Sequence, residues 1–288
     1  MKKMAFPFII FCLLLTIVSC EDSLDFSVEN YQQSLVIEGW IEQDKYPVVV
    51  LTRSSAYFAK IDSNAIRDLV VTTAKVTVSD GIKSEILTLK KNDNFFPPYI
   101  YEGTELLGQE GKSYHLTVES QGRIYQASTH IPARPIIDSL WFSLEEGKDS
   151  LGYIYGRYQD NPNEENYYRT FTWRKDIDKK YIPVYLSATG DLYFNGKEFT
   201  FSLLRGSESF SEITDDIYFK VGDTVRVKFC SIDRAHFDFW RTIERELYTV
   251  GNPFSSSGNQ VISNLGDGAL GVWGGYGASY YQIVLRKP

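Results

Sequence analysis

The stretch GKSYHLTVESQGRIYQASTHIP, residues 111–132, indicates the fold class most clearly. Apolar and polar residues alternate from Tyr114 to Val118, and a second alternating run extends from Ile124 to Thr129. Such alternation places every second side chain on the same face of a strand. Gln121-Gly122 separates the two runs and supplies a two-residue turn. The stretch therefore predicts a β-hairpin with one buried face.

Similar short runs precede the hairpin and predict further strands. They are Leu35–Trp40, Val48–Leu51, Ala74–Val78 and Glu85–Leu89. Several short strands separated by turn residues are typical of a β-sandwich. We therefore expect residues 35–133 to form an immunoglobulin-like β-sandwich domain.

Two prolines follow the hairpin closely, in IPARPIIDSL. Because proline cannot donate to a β-ladder, Pro132 and Pro135 exclude this segment from a central strand. We place a domain boundary near Ala133, so that a second β domain covers residues 134–288. Five apolar or alternating runs predict its strands: Tyr153–Tyr158, Tyr167–Trp173, Thr200–Leu204, Thr224–Phe229 and Tyr281–Leu285.

One segment of the second half has helical rather than strand periodicity. In RAHFDFWRTIERELYT, four residues share one helical face, and Arg241, Glu244 and Arg245 lie on the other. The residues of the first face are His236, Trp240, Ile243 and Leu247. With Asp233 as N-cap, this predicts a helix near 234–248 that packs across the second sheet. The predicted class is all-β: two immunoglobulin-like sandwiches, the second with one packed α-helix.

The N-terminus resembles a lipoprotein leader. Lys2 and Lys3 precede a nearly uninterrupted apolar run, residues 4–18, which is too short to span a membrane comfortably. The run ends in Ile17-Val18-Ser19-Cys20, which resembles the bacterial lipobox. The resemblance implies that residues 1–19 are a signal peptide and that Cys20 is lipidated and acylated. The alternative is a secreted protein in which this cysteine occurs by chance.

The next residues are polar and acidic, EDSLDFSVENYQQS. We expect residues 20–34 to form an acidic tether between the lipid and the folded chain. Two or more acyl chains hold a protein stably on a membrane, whereas one chain holds it only marginally. Acidic residues directly after the cysteine resemble the surface-export signal of Bacteroidota lipoproteins. The expected location is the outer membrane, facing the cell exterior; the alternative is an anchor facing the periplasm.

Charge and cysteine content restrict the function further. The chain has 30 Lys and Arg against 37 Asp and Glu, and loss of residues 1–19 changes the net charge from −7 to −9. An acidic protein lacks the concentrated positive charge that nucleic-acid binding needs. With Cys12 removed and Cys20 lipidated, only Cys230 keeps a free thiol, so no intramolecular disulfide is expected. Its alternating surroundings, VRVKFCSI, predict a buried cysteine.

An ordered set of stretches resembles one protein family. The stretches are SLVIEGWI, AKVTVSDG, the hairpin quoted above, YQDNPNEENYYR, DLYFNGKEFTF and NPFSSSGNQVISNLGDGALGVWGGYG. Their order and spacing are similar to those of the Bacteroidota lipoproteins called domain of unknown function 4249. The resemblance covers nearly all of the mature chain. It implies a lipid-anchored outer-membrane protein, often encoded beside a TonB-dependent receptor, and it transfers no catalytic residues.

Several motifs with catalytic or cofactor chemistry are only partly matched. Gly266–Gly271 fits G-x-G-x-x-G, but no helix is expected after it, so a glycine-rich loop is favoured over a nucleotide site. The three histidines, His115, His130 and His236, lack the neighbours that a zinc site needs. Ser231, Asp233 and His236 are close in sequence, which is not how a nucleophilic triad is assembled. We expect His236 to face the sheet, and we expect no cofactor.

The loop Asp160–Glu165 concentrates oxygen ligands. Calcium accepts such ligands, although the EF-hand spacing is absent and a solvated turn is the simpler interpretation. Glu164 or Glu165 also fits one half of a glycosidase carboxylate pair. The sequence leaves these interpretations open.

Two aromatic-rich loops are the candidate contacts for a ligand or partner. Four rings, those of Phe95, Phe96, Tyr99 and Tyr101, surround two prolines in NFFPPYIYEG. Trp273 and Tyr276 lie in the glycine-rich segment near the C-terminus. Aromatic rings are enriched in recognition surfaces, but they also pack into cores.

The resulting functional hypothesis is a non-enzymatic accessory lipoprotein. It would help a TonB-dependent transporter to bind or pass nutrients such as peptides or glycans. The alternatives are a surface hydrolase of glycan or peptide and a structural or adhesive module. The lipobox, the acidic tether and the absence of a complete catalytic motif favour the first hypothesis.

Overall fold

The computed structural model describes residues 32–55, 67–207, 217–249 and 260–287. The predicted signal peptide, the lipidation site Cys20 and most of the acidic tether lie outside these residues. Strand is the dominant structure, so the all-β prediction is confirmed. The strands are β1 (Leu35–Glu42), β2 (Val48–Arg53), β3 (Lys75–Ser79), β4 (Ser84–Ile86), β5 (Thr88–Lys91), β6 (Tyr99–Glu102), β7 (Ser113–Ser120), β8 (Arg123–His130), β9 (Ser139–Leu144), β10 (Leu151–Gln159), β11 (Tyr167–Arg174), β12 (Ile182–Gly190), β13 (Glu198–Leu203), β14 (Phe219–Lys220), β15 (Thr224–Ile232) and β16 (Leu270–Val284); helix α1 is Arg234–Thr249.

Three sheets form a sandwich-like arrangement. The largest has eight strands in the order β12-β11-β15-β16-β1-β2-β6-β5. The second has the order β4-β3-β7-β8, and in the third β9, β13 and β14 all pair with β10. The second sheet packs against β1 and β2, and the third against β15 and the end of β16. Both therefore cover the same face of the large sheet.

The predicted boundary near Ala133 does not separate two domains. β1 pairs in parallel with β16, from Val36 opposite Leu270 to Glu42 opposite Tyr276, so strands from both sides of Ala133 share one sheet. Among the described residues, those from 33 to 55 belong to the same compact unit as those from 67 onward. The two-sandwich prediction was wrong because strand periodicity does not show which distant strands pair.

The hairpin that indicated the fold class is present as β7 and β8. Ser120 pairs with Arg123, and the intervening Gln121 and Gly122 have φ angles of 50° and 75°. Two central residues with positive φ characterise the turn that suits a twisted hairpin. Tyr114, Leu116 and Val118 are buried, as predicted.

Helix α1 begins after the predicted N-cap. Asp233 Oδ1 accepts a hydrogen bond of 2.8 Å from the backbone N–H of His236, which satisfies one of the free N–H groups of the first turn. The helix contacts β11, β12 and β16, on the face opposite the other two sheets. His236 is buried as expected, but Glu244, predicted on the polar face, is buried as well. Among the described residues, no helix combines the length and apolar character needed to cross a membrane.

Candidate functional site

A concave surface lies beside the connection between β8 and β9. We call it the linker groove; it has a volume of about 970 Å³. Residues 130–138 contribute to one wall and residues 158–168 to the other, and Glu110, Gly111 and residues 231–234 complete the lining. Arg134 and Glu164, one from each wall, are exposed, so the groove is accessible to solvent.

Glycines in β16 determine the position of the first wall. A Cβ atom on Gly275 would overlap the carbonyl oxygen of His130, and one on Gly277 would overlap that of Pro132. The connection therefore crosses β16 in direct backbone contact, which only glycine permits. The prolines that suggested a domain boundary instead mark a segment that crosses the large sheet.

The Asp233 side chain, which lines the groove, connects the end of β8 to the start of α1. Besides capping α1, its Oδ2 atom accepts hydrogen bonds from Thr129 Oγ1 at 2.5 Å and from the His130 backbone N–H at 3.1 Å. Thr129 Oγ1 in turn accepts one from the Gly275 N–H at 2.7 Å. The carboxylate is thus committed to three donors, and the ring of His236 packs at Gly274. Ser231, Asp233 and His236 consequently do not form a nucleophilic triad.

The acidic loop of the second wall is held by its own polar groups. Asn161 Oδ1 accepts from the Asn163 backbone N–H at 3.2 Å, and Asn161 Nδ2 donates to Glu164 Oε1 at 2.9 Å. Buried Asp160 accepts from Tyr168 Oη at 2.5 Å and from the Gly196 N–H at 2.8 Å. These contacts are those of a self-bonded turn. Within the described ranges, no three His, Cys, Asp or Glu side chains are placed to hold a metal ion.

The charge of the groove is mixed but mainly negative. Five carboxylates and two guanidinium groups line it. Arg134 lies 3.3 Å from Glu110, and Arg234 lies 3.3 Å from Glu165. Glu165 also accepts a hydrogen bond of 2.7 Å from Tyr167 Oη. The groove therefore suits a neutral or positively charged ligand with polar groups.

Of the six aromatic residues predicted to contact a ligand or partner, some are exposed and others are buried. Phe96 is 74% exposed and Tyr99 39% exposed, whereas Phe95 folds back and stacks on Trp40 with ring centroids 5.8 Å apart. Tyr101 is buried, donating to the Val71 carbonyl and accepting from the Ala74 N–H. Only Phe96 and Tyr99 of this loop present much ring surface to solvent.

The prediction that Trp273 and Tyr276 contact a ligand or partner is wrong, because both side chains are buried inside the protein. Trp273 is fully buried, and its indole N–H donates to the Tyr114 carbonyl at 3.1 Å. Tyr276 is 5% exposed and accepts a hydrogen bond of 2.6 Å from Arg169 Nη1. The glycines around them admit close packing, which the sequence alone could not separate from an exposed loop. The preceding G-x-G-x-x-G segment leads into β16 and not into a helix.

Sequence reasoning missed a set of buried charges beside Tyr276. Glu42 Oε2 lies 2.6 Å from Lys228 Nζ, and Glu42 Oε1 lies 2.7 Å from Lys45 Nζ and accepts from Tyr280 Oη. Burial alone would raise the pKa of Glu42, but Lys228 and Lys45 outweigh it and hold the pKa below its usual value. For Lys228, burial would lower the pKa, but Cys230 and Glu42 hold it above its usual value.

A second buried set connects α1 to the sheet. Arg169 Nε donates to Ser187 Oγ at 3.1 Å, and Ser187 donates to Glu244. The Arg169 guanidinium also lies 3.3 Å from the centroid of the Trp240 ring, which gives a cation–π contact. Burial raises the pKa of Glu244, although Arg169 acts in the opposite direction. Burial, followed by Arg169, lowers the pKa of His236 well below its usual value. Ser187 therefore bridges Arg169 of β11 and Glu244 of α1, which ties the helix to the sheet.

Comparison with known proteins places the chain in one group. The family model described as Domain of unknown function (DUF4249) matches residues 21–282. No curated protein matches the chain. The matched range includes both walls of the linker groove and both buried charge sets.

Proposed function

The chain belongs to the DUF4249 family, and from this premise we propose that it is a lipid-anchored, non-enzymatic accessory protein of the outer membrane. In this proposal, Cys20 carries the lipid and the folded chain faces the cell exterior. The protein binds nutrients, peptides or glycans, together with a TonB-dependent transporter.

The observation that carries the proposal is the sequence around Cys20. An apolar run ends in an aliphatic-variable-small-cysteine pattern, and the family match begins with the next residue, at position 21. The leader thus adjoins a chain whose similarity to the family extends almost to its end. A lipidated cysteine anchors such a chain without a membrane-spanning helix.

The linker groove supports a binding role. Its acidic groups include Glu165, held by Arg234 and Tyr167, and Asp233, committed to backbone and side-chain donors. Because Glu165 and Asp233 are engaged by donors of the protein itself, we take the accessible, mixed-charge surface to support the binding of a polar ligand.

The anchor is tested by metabolic labelling of the full chain with alkyne-palmitate, followed by fractionation of the membranes. We expect the wild-type protein and a Cys230→Ala control to be labelled and to sediment with the outer membrane. A Cys20→Ala chain should be unlabelled and soluble. An unlabelled wild-type chain, or a Cys20→Ala chain that remains in the membrane, would refute the anchor.

The partner is tested separately by purifying the tagged lipoprotein in mild detergent. A TonB-dependent barrel should co-purify with the wild-type chain and should be lost with Cys20→Ala. Recovery of no barrel from membranes that contain the anchored protein would contradict the accessory role. Turnover of a peptide or glycan that is abolished by Glu165→Gln would instead favour the hydrolase alternative.

A further inference from the structure

The outer face of the third sheet carries a row of aromatic rings that no function above uses. Along β10, Ile154 and Tyr158 are buried against the large sheet, so Tyr153, Tyr155 and Arg157 point away from it. β9 and β13 flank β10 on its two sides. The face is three strands wide, and the other two sheets do not cover it.

Four aromatic rings on this face form a row in which each ring contacts the next. Trp141 and Tyr155 stack with centroids 5.5 Å apart and planes 12° apart. Tyr155 meets Tyr153 edge-on at 6.5 Å, and Tyr153 meets Tyr218 at 5.1 Å. A hydrogen bond to Tyr218 and burial raise the pKa of Tyr153 above its usual value. We call these four residues the aromatic row; their mutual contacts hold the rings in place.

Hydroxyl groups border the row on both sides. The strand registers place Trp141 and Ser202 beside Tyr155, and Ser143 beside Tyr153. Ser139 and Thr200 flank Arg157 in the same way. Within the described part of the chain, these four hydroxyl groups make no hydrogen bond, so they are available to a ligand.

The charge on the face is low and slightly negative. Arg157 lies 3.9 Å from Glu198 at one end, Glu145 acts on Tyr153 at the other end, and the four rings themselves carry no formal charge. Because the whole chain has a net charge of −7, a polyanionic ligand would be repelled. A strip of partly exposed rings bordered by hydroxyl groups suits a ligand with apolar C–H faces and a rim of hydroxyl groups.

From this arrangement we propose that the aromatic row and its hydroxyl border form a binding site for a neutral oligosaccharide. Sugar rings stack on the Trp141 and Tyr155 side chains, and their hydroxyl groups bond to Ser143, Ser202 and Arg157. The row does not line the linker groove. The site requires neither the lipid anchor nor a transporter.

The test is calorimetric titration of the full chain in mild detergent with cellohexaose, xylohexaose, maltohexaose and mannohexaose. We expect saturable binding of at least one of these sugars. Trp141, the most exposed of the five tryptophans, should be shielded from acrylamide quenching when the sugar binds. Trp141→Ala and Tyr155→Ala should each weaken binding about tenfold, and Trp141→Phe should weaken it less.

Tyr193→Ala is the matched control because Tyr193 is 86% exposed and lies outside the row; its binding should equal that of the wild type. Circular dichroism should show that all variants are folded. No binding of any neutral sugar, or undiminished binding by the double variant Trp141→Ala/Tyr155→Ala, would overturn the proposal. Preferential binding of polygalacturonate would overturn the choice of a neutral ligand. A change in molecular mass on Trp141→Ala without sugar binding would identify the face as a self-association surface instead.

Discussion

The buried pair of Glu42 and Lys228 permits a quantitative test of how the large sheet is stabilised. Glu42 also pairs with Lys45, so one carboxylate has a buried and an exposed lysine partner. Lys228→Met removes the buried partner, and Lys45→Met removes the exposed one. Both changes keep much of the side-chain volume and remove one positive charge.

The geometry of the two pairs sets how much each lysine variant should lower the free energy of unfolding. At 2.6 Å and an effective dielectric constant of about 20, the gross attraction between Glu42 and Lys228 is about 6 kcal/mol. Burial of both charges offsets part of it, and loss of one partner from a buried pair costs about 3–5 kcal/mol. The Lys45 side chain is 53% exposed, so its loss should cost less than about 1 kcal/mol. A double variant, Glu42→Leu/Lys228→Met, should recover most of the stability lost in Lys228→Met.

Urea unfolding of the full chain, followed by tryptophan fluorescence, measures these free energies. The pKa of Glu42 is lowered, so its contribution is present above its ordinary value of 4.5 and is lost as the pH falls through the folded-state pKa. The pKa of Lys228 is raised, so its contribution is present below 10.5 and is lost as the pH rises through the folded-state pKa. The difference between wild type and Lys228→Met should therefore be constant between these values and shrink outside them. Equal losses for the two lysine variants would refute the reasoning.

Three further changes test other parts of the fold. Asp233→Ala should lower the free energy of unfolding by about 2 kcal/mol by removing the α1 cap and the bonds to β8, whereas Asp233→Asn should cost less; thermal melting followed by circular dichroism measures both. Gly277→Ala should lower the free energy of unfolding by at least about 2 kcal/mol, because the new methyl group would overlap the Pro132 carbonyl oxygen. Gly266→Ala is the control: its nearest new contact is at 3.8 Å, so the free energy of urea unfolding should change by less than about 0.5 kcal/mol. Burial raises the pKa of the Cys230 thiol to about 12. Iodoacetamide at pH 8 should therefore label the peptide that contains Cys230 only after unfolding, which mass spectrometry would show. Labelling of the native chain would contradict the burial of Cys230.

Local structure could be predicted because local patterns determine it. The turn at Gln121-Gly122 and the cap at Asp233 each depend on a few adjacent residues, and both are observed. The pairing of β1 with β16 joins residues more than two hundred positions apart, and no local pattern encodes it. The prolines after β8 therefore predict a domain boundary, although the chain there crosses a shared sheet.

The buried charges and the aromatic row were less predictable for a related reason. Lys228 lies in TVRVKFCSI at a position that alternation assigns to the same face as exposed Arg226, yet it is buried beside Glu42 and Tyr276. Similarly, Tyr153 and Tyr155 resemble ordinary strand residues until β9 brings Trp141 beside them. A surface assembled from several strands is visible only once the order of those strands is known.

The central position of the last strand has a consequence for how the protein is made. β16 pairs with β1 on one side and β15 on the other, so until residues 270–284 arrive both of these strands have an open edge. Pairing across such a separation is slow because the chain must close a very long loop first. The large sheet should therefore stay incomplete through nearly all of the synthesis of the chain, a state compatible with the export proposed above, and truncation before Leu270 should yield insoluble product.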